Sequence, residues 1–273
     1  MALQNTAVRI IVSLLAIPLI LLTAYLGGIY FLLFVLGIAL ISFHELSGMA
    51  KHKNINPQLW FGMISVFLII LNYYNPVMRA DLLIIAVVTL SLIYELFRNK
   101  GSAIYNVGFT VLGIMYIGLF SASILRIREL YSFPEEAYLN GGLLIIALFI
   151  GIWTCDSAAF FIGTAIGKHK LFPRVSPNKS WEGAIAGFVF SAAVMVAMKF
   201  IFLGFLSTID VLIIGIIIGT VGQIGDLVES LIKRDAGVKD SSALIPGHGG
   251  IYDRFDSLLL IAPVVYIYLY FIN

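Results

Sequence analysis

Long apolar runs follow one another along the whole chain, and they restrict its fold more than any other feature. A run of about 17–25 apolar residues is long enough to cross a lipid bilayer as a helix. Nine such runs are predicted, at residues 7–26, 29–47, 58–74, 82–98, 105–125, 141–166, 180–201, 208–230 and 252–272. The composition agrees, because 60% of the 273 residues are hydrophobic and only 12% are charged. The sequence therefore predicts an all-α polytopic integral membrane protein with about nine transmembrane helices.

The runs succeed one another without a long soluble insertion, a low-complexity tract or a convincing internal repeat. We therefore expect a single membrane domain over residues 1–273, with N-terminal spans in residues 1–135 and the chemically active spans and loops in residues 141–273. A cleavable signal peptide at residues 1–26 is disfavoured, because the same run fits a first span and further spans follow at once. The one cysteine, Cys155, excludes an intramolecular disulfide.

Lysine and arginine are concentrated in every second connection between the predicted spans. The connections after spans two, four, six and eight hold twelve of the 17 basic residues. The opposite connections hold three, at Arg79, Arg126 and Arg128. Because cytoplasmic loops carry the excess of positive charge, we expect the even-numbered connections and the N-terminus in the cytoplasm and the C-terminus outside.

Span eight carries charged side chains on one face. The spacing i, i+3, i+4, i+7, i+8 is found at Asp226, Glu229, Ser230, Lys233 and Arg234. A helix end that surfaces into water accounts for Lys233 and Arg234, whose long side chains can reach the interface. It does not account for Asp226, about two turns deeper, because a carboxylate inside a transmembrane segment normally faces a protein interior or a water-filled cavity. We therefore interpret Asp226 as a functional residue.

A charged, glycine-rich loop separates span eight from span nine. Its glycines surround His248 at positions Gly247, Gly249 and Gly250. Such a loop lets backbone amides approach phosphate oxygens, although taken alone it is more often a simple turn. Asp253 follows at the start of span nine, where a helix cap is an equally good interpretation. Together with Asp226 across a cytoplasmic cavity, Asp253 would form half of a site for a hard cation such as Mg²⁺, which favours oxygen ligands and phosphate co-ligands.

Span six contains a second acid within apolar sequence, Asp156. The alternative to a functional acid is a buried one that pairs with a basic residue of a neighbouring span. In the basic connection that follows, Arg174 and Lys179 flank residues 176–177, where a rigid turn is predicted. A helix that begins near Ser180 would offer free amides to an anion. Three weaker candidates are explained adequately by helix ends near water, namely His44, Glu45 and Glu95.

The charged segments of spans six, eight and nine resemble those of the phosphatidate cytidylyltransferases, also called CDP-diacylglycerol synthases. Residues 230–256 fit the family signature at Ser230, Lys233, Arg234, Lys239, Asp240, Pro246, His248, Gly249, Gly250, Asp253, Arg254 and Asp256. A second family block is similar to residues 155–183, with matches at Asp156, Ser176, Pro177, Lys179, Ser180, Glu182 and Gly183. Asn178 departs from the family, because that position is often basic in relatives. The N-terminal spans resemble the family only in hydropathy.

The resemblance implies that CTP and phosphatidate (phosphatidic acid) react to give CDP-diacylglycerol and pyrophosphate, with Mg²⁺ required. The nucleophile would be an already ionised phosphate oxygen, so catalysis consists of positioning and charge neutralisation rather than strong base chemistry. A polar cavity open to the cytoplasm would let a lipid phosphate in the bilayer meet a water-soluble triphosphate. The resemblance also implies a homodimer and leaves room for a second cation, whereas no nucleic acid is expected as a partner.

The expected site residues combine positions of the family motifs with charged residues chosen for their place in the loops. The expected catalytic residues are Asp226, Lys233, Arg234, Lys239, His248 and Asp253, of which Asp226 and Asp253 would ligate the metal. The expected substrate-binding residues are Asp156, Arg174, Ser176, Lys179, Asp240, Gly249, Gly250, Arg254 and Asp256. Within these sets, the basic residues of the signature and His248 would surround the CTP phosphates. Arg174 and Lys179 would lie nearer the lipid phosphate.

Two other functions fit parts of the sequence. A CTP-dependent polyprenol kinase would share the nucleotide and the membrane, but it does not predict the complete signature. A cation-coupled transporter would use the acids Asp156, Asp226 and Glu229 as a proton or sodium relay. The absence of an inverted repeat and the charged segment at residues 230–256, a poor pore lining, argue against it.

Overall fold

The helices of the protein follow the predicted spans closely. The computed structural model describes residues 2–132, 135–245, 247 and 249–272, without the side chains of residues 2–11 and of Glu136. Within these ranges the long helices are α1 (Ala2–Leu26), α2 (Gly28–Lys51), α3 (Leu59–Tyr74), α4 (Ala80–Leu96), α5 (Ala103–Arg128), α6 (Tyr138–Ile166), α7 (Trp181–Ile201), α8 (Thr208–Asp235) and α9 (Tyr252–Ile272). A short 3₁₀ turn, Glu135–Ala137, precedes α6. The prediction of an all-α integral membrane protein is confirmed.

Several of these helices have the dimensions of membrane spans. In the described part of the chain, six are long and apolar enough to cross a bilayer, namely α2, α5, α6, α7, α8 and α9. Two further apolar segments are shorter, at Val12–Leu26 and Leu59–Tyr74. The chain is therefore a multi-pass membrane protein, while the number of nine spans stays a prediction.

Two of the spans contain a π-helical segment. Residues Ile114–Leu119 interrupt α5, and residues Ile218–Gly222 interrupt α8 one turn before Asp226. The side-chain amide of Gln223 donates to the carbonyl of Ala184 at 3.0 Å, which ties the second segment to α7. A π turn inserts an extra residue and so rotates the faces of the helix that follows, and such turns are frequent near functional sites.

The connection between α6 and α7 is a small β-hairpin. Strands β1 (Lys170–Phe172) and β2 (Ser176–Ser180) pair antiparallel, with Phe172 opposite Ser176. The rigid turn predicted at residues 176–177 is therefore wrong, because the chain reverses at residues 173–175 and Ser176 already begins β2. A proline at position 177 is tolerated there because each strand of a two-stranded ribbon has a free edge. The predicted helix start is confirmed, since the Ser180 side chain accepts a hydrogen bond from the Gly183 N–H at 3.2 Å.

The chain forms two compact units. Unit 1 comprises Met1–Thr23, Gly28–Arg126 and Lys233–Phe255, and unit 2 comprises Ala24–Gly27, Ile127–Ile232 and Asp256–Asn273. The boundaries fall within α1, α5, α8 and α9, so these helices contribute residues to both units. The single membrane domain predicted from the sequence stays a prediction, and each unit is described by itself below.

Unit 1 contains a buried polar network centred on Glu95. The carboxylate of Glu95 accepts hydrogen bonds from Asn106 Nδ2 at 2.7 Å, Gln58 Nε2 at 2.8 Å and Arg98 Nη1 at 2.7 Å. Glu95 is only 6% exposed, so the expectation of a helix end near water is wrong for this residue. A buried carboxylate is tolerated when hydrogen bonds compensate for its lost hydration, and the network joins α3, α4 and α5.

Unit 2 contains a buried arginine that closes the end of α1. Arg128 is fully buried, and its guanidinium donates to Ala24 O at 2.6 Å, to Tyr25 O at 3.1 Å and to Tyr138 O at 3.1 Å. The same group lies 4.2 Å from the centre of the Tyr138 ring. The last carbonyls of a helix have no partner within it, so Arg128 supplies the donors that the end of α1 lacks.

Candidate active site

Three carboxylates meet where α8 and α9 pack together in unit 2. Asp226 and Glu229 lie one turn apart on α8, and Asp256 lies on α9. Each offers one carboxylate oxygen, and these oxygens all lie within 4.8 Å of one another. Glu229 is buried, whereas Asp226 and Asp256 are half-buried. We refer to Asp226, Glu229 and Asp256 as the acid cluster.

Two glycines allow the helices to approach closely enough to form the acid cluster. A Cβ atom at Gly225 would lie 3.0 Å from the Asp256 carbonyl oxygen and 3.1 Å from Ser257 Cα. A Cβ atom at Gly222 would lie 2.9 Å from a side-chain carbon of Ile261. Larger residues at either position would push α8 away from α9 and separate Asp226 from Asp256. Asp226 can therefore lie deep in an apolar helix because its carboxylate faces the other acids of the cluster where α8 and α9 pack together in unit 2.

A basic residue from the hairpin reaches the acid cluster. Lys179 Nζ lies 2.5 Å from Asp226 Oδ2, with both side chains about one-third exposed at 28% and 34%. Ser230 Oγ donates to the other oxygen of Asp226 at 3.4 Å. Lys179, Asp226 and Asp256, all predicted from the sequence as site residues, therefore share one region of unit 2. Asp156, also predicted, lies on α6 of the same unit.

The other predicted residues of unit 2 lie on the hairpin. Arg174 is exposed in the turn between β1 and β2, and Ser176 is the first residue of β2. Neither residue has a hydrogen bond or ion pair to the acid cluster within the described part of the chain. Their predicted contact with a substrate phosphate stays a prediction.

In unit 1, Asp253 organises the start of α9 and the loop before it. Its carboxylate accepts hydrogen bonds from Lys233 Nζ at 3.1 Å, from the Ser241 N–H at 3.0 Å and from the Gly250 N–H at 2.8 Å. The Asp253 side chain is 2% exposed and that of Lys233 is 12% exposed. Asp253 is therefore more than a local helix cap, because it joins α8, the loop and α9 through charged hydrogen bonds.

The rest of the signature in unit 1 is mostly exposed. Lys239, Asp240 and Arg254 are exposed, and Arg234 is exposed but donates to the Val238 carbonyl at 3.2 Å. Gly249 has φ of +83°, a left-handed conformation that favours glycine. Pro246 and His248 lie outside the described residues, so the predicted role of His248 stays a prediction.

Glu45 on α2 is a weak candidate from the sequence, but in the structure it is a central residue of unit 1. It is 4% exposed, and its carboxylate accepts hydrogen bonds from the loop between α8 and α9. The donors are Ser241 Oγ at 3.1 Å, Ser242 Oγ at 2.6 Å, the Ile251 N–H at 3.1 Å and the Tyr252 N–H at 2.8 Å. An acid at the end of an apolar run was the only sequence signal, and a helix end near water explained it equally well.

The structure thus divides the predicted site residues into two sets. Unit 2 holds Asp156, Arg174, Ser176, Lys179, Asp226 and Asp256, and unit 1 holds Lys233, Arg234, Lys239, Asp240, Gly249, Gly250, Asp253 and Arg254. The predicted metal ligands Asp226 and Asp253 belong to different units, and their pairing stays a prediction. Glu229 joins Asp226 in the acid cluster, a role that its spacing on the helix allowed but did not establish.

Comparison with known proteins identifies the family to which the chain is similar. The chain matches the model of the cytidylyltransferase family over residues 7–272. The chain belongs to the cytidylyltransferase family. It is accordingly a nucleotidyltransferase, and the resemblance seen in residues 155–183 and 230–256 is confirmed for nearly the whole chain.

Curated bacterial relatives of this family member match it over nearly the whole of both chains. A phosphatidate cytidylyltransferase of Staphylococcus haemolyticus (strain JCSC1435) is 33% identical over 271 residues, which cover 97% of this chain and 98% of the relative. A phosphatidate cytidylyltransferase of Bacillus subtilis (strain 168) is 32% identical over 263 residues, which cover 94% of this chain and 95% of the relative. The similarity therefore includes the N-terminal spans, for which the sequence alone indicated only hydropathy.

Proposed function

We propose that the protein transfers the CMP group of CTP to phosphatidate, giving CDP-diacylglycerol and pyrophosphate for phospholipid biosynthesis. The observation that carries the proposal is the similarity, over 97% of the chain, to a relative named phosphatidate cytidylyltransferase. The acid cluster and the basic residues supply groups that this chemistry uses. The bilayer around the apolar helices would hold the lipid substrate, and the cell membrane is the location that we propose.

The acid cluster is the proposed cation site. Three carboxylates with oxygens within 4.8 Å of one another offer the hard oxygen ligands that Mg²⁺ prefers, and substrate phosphates would complete its coordination. The donor set of Asp226, Glu229 and Asp256 therefore fits Mg²⁺. A cation bound there would neutralise charge on the phosphate oxygens. The predicted second cation remains part of the proposal.

The residues of unit 1 are proposed to bind the CTP phosphates. Lys233 is fixed by Asp253, and the loop that contains Gly249 and Gly250 lies beside the same carboxylate. Exposed basic side chains of the signature would add charge, from Arg234, Lys239 and Arg254. Because the attacking phosphate oxygen is already ionised, these groups need only orient the triphosphate and neutralise its charge. His248 would donate a hydrogen bond to phosphate or organise the loop.

The residues of unit 2 are proposed to bind the lipid phosphate, with Arg174 and Lys179 as its cationic partners. Lys179 already pairs with Asp226, which supports a position where lipid phosphate and cation are close to each other. The exposed Arg174 would meet the lipid head group at the membrane surface. A polar cavity open to the cytoplasm and a homodimer complete the proposal.

Product analysis with purified protein tests this function against its alternatives. The protein, in mixed micelles with phosphatidate, is supplied with CTP labelled at the α-phosphate or at the γ-phosphate. We expect the α-label in the lipid fraction and the γ-label in pyrophosphate. A polyprenol kinase would instead move the γ-label to a polyprenol, and a transporter would leave CTP intact, so either result contradicts the proposal.

The proposed orientation predicts which residues are accessible from each side of the membrane. In a Cys155→Ser background, a cysteine in the loop before α9 should react with an impermeant maleimide only from the cytoplasm, and one at Asn273 only from outside. Ser242 is a poor loop position because it donates to Glu45, so the exposed neighbour Ala243 is preferable. Asn273 itself lies outside the described residues. Labelling of both cysteines from one side would mean that the number of spans is miscounted.

A further inference from the structure

Two carboxylates hold the loop between α8 and α9 in unit 1. Asp253 accepts the backbone N–H groups of Ser241 and Gly250, one near each end of the loop. Glu45 accepts the hydroxyl groups of Ser241 and Ser242 at one end and the N–H groups of Ile251 and Tyr252 at the other. The loop is therefore fastened at both ends to each of two acids, and only Asp253 belongs to the signature.

We propose that Glu45 is a positioning residue for catalysis, which holds residues 241–252 in the conformation that presents the glycine-rich loop and Lys233 to the CTP phosphates. This inference rests on the proposed function for the identity of the substrate. The contacts between Glu45 and the loop do not depend on which substrate is bound, because they join two parts of the protein.

Glu45 also caps α9 from a distant part of the chain. The first N–H groups of a helix lack partners within it, and a negative charge near them is favourable because of the helix dipole. Helix α9 begins at Tyr252, whose N–H is 2.8 Å from Glu45 Oε2, although the two residues are 207 positions apart. The carboxylate therefore fixes both where α9 begins and how the loop enters it.

The contact between Glu45 and the loop explains why residue 250 is a glycine. A Cβ atom there would lie 2.5 Å and 2.6 Å from the two carboxylate oxygens of Glu45, and it would be closer still to Ser241 Oγ. The carboxylate thus lies directly against the loop backbone, and only glycine leaves room for it. Close approach to a ligand is a second, independent reason for a glycine at this position.

The charge of Glu45 is needed as well as its size. A glutamine offers one acceptor oxygen and an NH₂ group that can only donate. The hydroxyls of Ser241 and Ser242 can rotate to accept from that group, but the N–H groups of Ile251 and Tyr252 cannot. At least one buried N–H would then lose its acceptor in Glu45→Gln. Glu45→Asp keeps both acceptor oxygens and is shorter by one methylene, so it should retain part of the function.

The test compares Glu45→Gln with a matched control, Glu95→Gln. Glu95 is also a buried acid of unit 1 with three strong donors, and in the described part of the chain none of these donors belongs to residues 239–253. Deuterium exchange of peptides that cover residues 241–252 reports on the loop. Steady-state kinetics with CTP and phosphatidate report on catalysis.

We expect Glu45→Gln to increase deuterium exchange in residues 241–252 and to lower kcat by about 10–100-fold, because a displacement of about 1 Å can have such an effect. The KM for CTP should rise more than the KM for phosphatidate. Glu45→Asp should recover a large part of kcat. Glu95→Gln should lower the unfolding temperature but leave the exchange of residues 241–252 and the kcat of the folded protein near those of the unmodified enzyme.

Several results would overturn the inference. Unchanged exchange of residues 241–252 in Glu45→Gln would do so, and so would equal loss of kcat in Glu45→Gln and Glu95→Gln. If Glu45→Gln does not fold, Ser242→Ala removes one donor at 2.6 Å and should raise exchange and lower kcat by a smaller factor. Unchanged exchange of residues 241–252 and unchanged kcat in Ser242→Ala would then exclude a positioning role. If even the unmodified protein does not use CTP, the proposed function fails, while the exchange data still decide whether Glu45 holds the loop.

Discussion

Replacement of Asp226 by asparagine is expected to lower turnover by about 10³-fold or more while the protein still inserts and folds. Asp226 contributes an oxygen to the acid cluster and pairs with Lys179 at 2.5 Å, so the substitution removes a proposed cation ligand and a negative charge together. Interactions that neutralise charge in the transition state are usually the largest contribution to such catalysis. The measurement is the incorporation of α-labelled CTP into lipid at saturating Mg²⁺. Near-normal incorporation would contradict the assignment of Asp226.

Asp235→Asn is the matched control for this experiment. Asp235 is the last residue of the same helix, but its side chain is 70% exposed and pairs only with Lys53, at 3.1 Å, in the described part of the chain. Exposed ion pairs contribute little, so the control should keep its activity within about twofold.

Cation binding provides a readout besides activity. A ligand that binds only the folded state raises the unfolding temperature. Mg²⁺ should therefore stabilise the unmodified protein and Asp235→Asn, but not Asp226→Asn. A Mg²⁺-dependent shift of the same size in all three proteins would place the cation elsewhere.

Replacement of Arg128 by methionine is expected to destabilise the protein by about 3 kcal/mol. Methionine preserves much of the apolar volume, but it leaves the carbonyl oxygens of Ala24 and Tyr25 at the end of α1 without their donor, and each buried unsatisfied group costs about 1–3 kcal/mol. The carbonyl of Tyr138 also loses a donor, but it lies in the first turn of α6, where carbonyls accept from the N–H four residues on. The substitution also removes the free-energy cost of burying the guanidinium charge, and this gain offsets part of the destabilisation. The measurement is the unfolding midpoint of the purified protein in detergent.

Arg79→Met is a suitable comparison for Arg128→Met. Arg79 is 77% exposed and pairs with Asp81 at 2.8 Å, and a surface ion pair contributes about 0–1 kcal/mol. We expect its midpoint to lie close to that of the unmodified protein. If the two variants unfold at the same temperature, the hydrogen bonds of Arg128 do not stabilise the end of α1.

The sequence alone determined the helical fold, because the length and apolarity of each span are local properties. A bilayer requires about 20 apolar residues per helix, and polar caps or glycines mark where each helix ends. The segments of α8, the loop and α9 that carry the signature were recognisable for the same reason, since their residues are close together in the chain. The hairpin was missed because Ser176 and Pro177 look like a turn when their partner strand is unknown.

Only the tertiary structure decided which charged residues meet within each unit. Glu45 contacts residues 196–207 positions away, and no local pattern shows that its carboxylate should be buried rather than hydrated. Glu229 and Asp256 join Asp226 because Gly222 and Gly225 let α8 and α9 approach each other. The π segment before Gln223 also sets which face of α8 is presented, and hydrophobicity along the chain does not encode such a rotation. Apolarity is a property of each segment by itself, whereas the partner of a buried charge depends on how the helices pack.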